Sequence, residues 1–141
     1  MDAAAYVYPW DVVGDPEAAA LVASLGVDHA TLAAVYHATR ALTPRHPAHR
    51  VVVAERTAAY LPLAAASWTP PGLRPEEQNW IPGADPFGEA AAALAAVGLP
   101  AHAWVVVDHV DSFFGPHVEN AYGDVYPWRS KSTRLNSSHV D

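Results

Sequence analysis

At 141 residues, 51% hydrophobic and 16% charged, the chain has the length and composition of one soluble globular domain. Its formal charge of −7 argues against nucleic acid or an anionic membrane surface as partner, and the absence of cysteine excludes disulfide frameworks and cysteine-ligated zinc. No apolar run approaches the roughly 20 residues of a bilayer span. The N-terminus lacks a basic flank and is interrupted by Pro9 and Asp11, so no signal peptide and a cytoplasmic protein are expected.

Residues 3–9, AAAYVYP, are apolar and β-prone and predict a first strand. Trp10 and Asp11 follow it, an aromatic and a carboxylate just past a strand end. Asp15 suits a helix N-cap and Pro16 the first helical position, predicting a helix through Leu21, Val22 and Leu25 that stops at Gly26. Residues 29–36, HATLAAVY, read as a buried strand ending at His37. Residues 39–50, with two prolines, two histidines and three arginines, predict a loop over the strand ends. Residues 50–56 and 59–61 suit a hairpin or a further strand, and residues 68–86, rich in proline, a surface loop.

The most informative stretch is FGEAAAALAAVGLPAHAWVVVDH, residues 87–109. An alanine-rich helix over 89–97 has strong propensity, Gly98 supplies its left-handed stop, and Pro100 bars continuation. Residues 101–107 then form a continuous apolar run, as in parallel strands covered by helices, and end in Asp108 and His109. Eleven residues separate Gly98 from His109, and eleven also separate Gly26 from His37. Two helix–Gly–strand–His units of equal spacing predict parallel strands with both histidines on one C-terminal rim, where α/β folds keep their chemistry. Past His109, Asn120, Tyr122 and Asp124 suit a binding loop, though Asn, Gly and Asp are also ordinary turn residues.

The segment GLPAHAWVVVDH, the histidine-containing loop after it and the Asn-x-x-Gly-Asp segment resemble the third-strand region of bacterial glycosyl-hydrolase-like (β/α)8 barrels. The opening AYVYPWD and the loop after AAVYH are similar to the start of alanine-rich members of that group. The resemblance spans about residues 3–129. It implies the N-terminal part of a TIM barrel, parallel strands with outer helices and an incomplete barrel, acting on or binding carbohydrate. It implies a small-molecule or glycan substrate and no cofactor. Glycoside hydrolysis needs two carboxyls about 5–10 Å apart, which such barrels carry on later strands. Asp108 is the catalytic candidate, with Trp10, Asp11, His37, His109, Asn120 and Tyr122 as candidate substrate contacts and no metal ligand assigned. Two alternatives stay open: a metal-dependent hydrolase or isomerase using His37, Asp108 and His109, and a non-catalytic carbohydrate-binding or scaffold protein. Trp104, inside its strand, reads as core, and Arg45, His46, His49 and Arg50 as a solvated cationic loop.

From Ser130 the composition changes, with no alanine and the chain's one lysine. Residues 131–139, KSTRLNSSH, resemble the translation of a sequencing adapter. The expected division is therefore a truncated β/α-barrel domain over 1–129 and a non-native tail over 130–141.

Overall fold

The structure, a computed structural model, describes residues 2–64, 66, 75–106, 117–123 and 125–130. The first strand, β1 (Ala4–Val7), is followed at once by a four-residue helix, α1 (Pro9–Val12). Pro9 presets the helical φ, and the Asp11 carboxylate reaches back to the Tyr8 N–H at 2.9 Å, half of a capping box. A second helix, α2 (Ala18–Ala23), is shorter than its sequence predicts. The Asp15 carboxylate accepts the Glu17 N–H in an Asx turn outside the helix. Gly26, with φ +72°, turns the chain into β2 (His29–Tyr36).

β2 is the centre of the main sheet. It pairs in parallel with β1 through Ala4↔His29 to Val7↔Leu32, and in parallel with β7 (Ala101–Val105) on its other edge. The matched Gly26 and Gly98 lie three residues before β2 and β7, so equal spacing sets these strands side by side. Beyond the end of β1, the short β5 (Ala58–Ala59) runs antiparallel to Val35 and Tyr36, and β6 (Glu76–Glu77) pairs with β5. Residues 39–54 form a separate hairpin of β3 (Thr39–Leu42) and β4 (Val51–Ala54). A second hairpin joins β8 (His117–Glu119) to β9 (Val125–Ser130).

This arrangement overturns the barrel expectation. The sheets are mixed and the fold is a small α+β domain, without the strand–helix alternation of a (β/α)8 barrel. Among the described residues between β2 and β7 there are four strands and one α-helix, α3 (Pro86–Ala96). The physical reason lies in residues 39–54. Alternate exposure along β4, with Val52 and Ala54 buried and Val51 and Val53 out, is the period of a half-buried antiparallel strand. Proline and histidine in the connecting turn masked that pattern in the sequence.

The helices share one face of the main sheet. α3 packs on α1, α2, β2 and β7, and its Ala90 and Leu94, one turn apart, are fully buried. They join Val7, Trp10, Leu32, Tyr60, Ile81 and Leu99 in one core. The opposite strand face, reached by alternation, carries Tyr6, Thr31, His102 and Trp104.

α3 begins three residues earlier than the alanine run predicts, because Asp85 caps it: its carboxylate accepts the Gly88 N–H at 2.8 Å, with Pro86 in the first turn. A Cβ on Gly88 would collide with that same carboxylate. Gly88→Ala therefore displaces the cap. Gly88→Ala and Asp85→Ala should each lower unfolding free energy by about 1 kcal/mol, and the double variant by little more than either. Additive losses in a double-mutant cycle would show that Gly88 and Asp85 act separately.

Candidate binding face

A continuous aromatic chain runs from the open face of the sheet into the core. Tyr6 meets Trp104 edge-on at 5.1 Å between ring centroids, and Trp104 meets Tyr36 at 4.7 Å. Tyr36 meets Tyr8 at 5.0 Å, and Tyr8 lies flat on Trp10 at 4.4 Å and 10°. Trp10 then meets Tyr60, and Tyr60 meets Trp80. Strand geometry explains the outer half. Tyr6 and Tyr8 are two residues apart, and the parallel registers bring Trp104 and Tyr36 beside them at the C-terminal ends of β1, β2 and β7.

Exposure divides the chain of rings. Tyr6 is 68% exposed and Trp104, Tyr8 and Tyr36 are half-buried, whereas Trp10 and Tyr60 are fully enclosed. The phenol of Tyr8 titrates above its ordinary range, through burial first and a hydrogen bond with Tyr36 second. Tyr60 is also pushed up, chiefly by burial. The Trp80 indole N–H comes close enough to Tyr60 to oppose that shift but falls short of hydrogen-bond geometry. Gln78 holds Trp80 in place: its side-chain oxygen accepts the N–H groups of Trp80 and Ile81, and its amide donates to the Ile81 carbonyl.

The sequence-predicted site residues divide accordingly. Trp10, expected as a platform at the strand ends, is a core residue, because α1 folds it back under β1. Trp104, expected in the core, is on the half-open face. Asp11 is present at the rim but is engaged with the Tyr8 N–H. Burial raises its pKa, and that hydrogen bond and the nearby His46 oppose the rise. His37 stacks on Tyr36 at 4.1 Å and its Nδ1 donates to the Ala38 carbonyl at 2.8 Å. Asn120 forms a local turn, its side-chain oxygen accepting the Tyr122 N–H at 2.9 Å, and Tyr122 is 92% exposed. Asp108, His109 and Asp124 lie outside the described residues, as does the expected tail from 131 onward. Among the described residues no three histidines or acids gather as a metal site, and no helix is long and apolar enough to cross a membrane.

Sequence reasoning missed Tyr6, Tyr8 and Tyr36 as a group. The signal was the two-residue spacing of the first pair together with the Gly26/Gly98 alignment, which predicts strands side by side and hence their aromatic residues too.

Asp11 yields a signed expectation. Its native pKa is above the ordinary 3.8, so between that value and its native pKa the folded state holds a proton that the unfolded chain has released. The stability this carboxyl contributes is present below pH 3.8 and is lost as pH rises through its native pKa. Asp11→Asn keeps an oxygen for the Tyr8 N–H without the buried charge. The variant should melt above the parent at neutral pH and with it at about pH 3. A variant that melts lower at neutral pH would show that the charge itself is stabilising.

No protein-family model matches the chain, and searches of curated proteins and of solved structures return no match to it either.

Proposed function

We propose that the chain binds carbohydrate on the aromatic face at the C-terminal ends of β1, β2 and β7. The observation that carries this reading is the half-open edge-on pair Tyr6–Trp104, backed by the hydroxyl-bearing rings of Tyr8 and Tyr36. Sugars present an apolar C–H face and a rim of hydroxyls. Aromatic rings with polar tips suit both, offering an apolar body and a hydrogen-bonding end.

The reading is of binding and not of hydrolysis. Asp11, the acidic candidate described at this end of the sheet, is committed to the Tyr8 N–H, and hydrolysis calls for a pair of carboxyls.

Tryptophan fluorescence and calorimetric titration against a panel of soluble oligosaccharides test this. At least one glycan should perturb Trp104, and Trp104→Ala or Tyr6→Ala should each weaken it by roughly tenfold, the equivalent of about 1.4 kcal/mol. Tyr6 is largely exposed, so its removal leaves the core intact. A panel on which no glycan perturbs the parent, or on which both variants bind as the parent does, would overturn the proposal.

A further inference from the structure

Outside the aromatic face, the turn of the β3–β4 hairpin contains a group that the composition disguised. His46 and His49 stack face to face, 3.6 Å between centroids and 9° between planes. His46 is almost fully buried and both of its ring nitrogens are engaged. Nε2 lies 2.9 Å from the Val13 carbonyl and Nδ1 lies 3.1 Å from the Ala48 N–H. A carbonyl can only accept and an N–H can only donate, so this geometry assigns a neutral imidazole protonated on Nε2. His49 Nδ1 lies 2.8 Å from the Thr43 hydroxyl, which donates to the His49 carbonyl. Val13 is the residue that ends α1. His46 is thus the hydrogen bond between the hairpin turn and the helix that bears Trp10 and Asp11. Gly14, at φ +84°, leaves room for it, with the His46 ring 3.6 Å from where a Cβ would stand.

We propose that the His46–His49 stack is a pH-operated latch that holds the β3–β4 hairpin against the end of α1 when neutral and releases it when protonated. A proton on His46 Nδ1 turns an acceptor into a donor facing the Ala48 N–H. Two imidazolium rings cannot share a 3.6 Å stack without strong repulsion. The surrounding charges act in both directions. Asp11 on α1 favours a cation at His46. Arg50 opposes it, its guanidinium donating to the Pro44 and His46 carbonyls at 2.5 and 3.1 Å. Arg45, next in the chain, is exposed, and Asp15, past Gly14, is turned to the Glu17 N–H. His49 titrates below its ordinary 6.5, through burial first and His46 second. The released state therefore takes up a proton before the closed one, and closure weakens as pH falls below 6.5.

The test is hydrogen exchange and imidazole NMR on the full chain between about pH 7.5 and pH 5. The parent should show the Nε2–H tautomer at His46 at the upper end. The protection factor of the Ala48 amide should fall about tenfold per pH unit once the stack titrates, the slope of a one-proton linkage. The Leu32 amide, in β2, should keep its protection throughout. His46→Gln should show low Ala48 protection at every pH. The proposal is overturned by an Nδ1–H tautomer, by Ala48 protection that does not change with pH, or by Leu32 losing protection together with Ala48. It is equally overturned if the acid-induced loss persists in His46→Gln. If that variant does not fold, the parent measurements decide alone. None of these outcomes depends on what the aromatic face binds.

Discussion

The burial of Trp10 under the end of β1 governs how the rest of the domain is arranged. The side chain is large and fully enclosed, so it must be surrounded on every side. α1 turns it inward, Tyr8 lies flat on one face of it, and Tyr60 meets it edge-on. Tyr60 in turn ties three elements together. Its N–H donates to the Ala34 carbonyl of β2 at 2.9 Å, its carbonyl accepts the Phe87 N–H at the start of α3 at 2.7 Å, and its ring faces Trp80. One buried indole therefore explains why a two-residue strand, β5, can hold its place beside β2. It also explains why the outer rings are rigidly seated: Tyr8 cannot move without uncovering Trp10.

The same residue shows where sequence reasoning stopped. The strands over 4–7, 29–36 and 101–105 were legible, because continuous apolar runs between Gly and Pro punctuation carry their own signal. Parallel pairing of the last two was legible from the matched Gly26 and Gly98 spacing. The position of Trp10 was not, since a four-residue helix has too little sequence to declare a face, and Pro9 reads equally well as the end of a strand. The hairpin was hidden in another way. His46 and His49 look like a solvated cationic loop by composition, and only the register of β3 with β4 reveals that one ring points inward to Val13. A histidine's burial is decided by partners far away in sequence, here 33 residues, which no local pattern encodes.

The domain thus has two distinct polar devices at one end of its sheet. The aromatic face offers ring edges and phenol hydroxyls to a ligand, and the histidine stack secures the hairpin to α1 behind it. Asp11 is close to both, accepting from Tyr8 on one side and acting on His46 on the other. Its carboxyl and His49 respond to pH in opposite senses: the buried acid favours the native state at low pH, the imidazole of His49 at higher pH. The layout thus links the rim of the face to the hairpin through α1, a helix of one turn.

The measurement that tests this account most directly is equilibrium unfolding of Trp10→Leu with hydrogen exchange at Tyr60 and Phe87. If Trp10 organises the core, the substitution should remove about 3 kcal/mol or more of stability and accelerate exchange at both amides relative to those of β2. A loss below about 1 kcal/mol, with Tyr60 and Phe87 protected as in the parent, would contradict it.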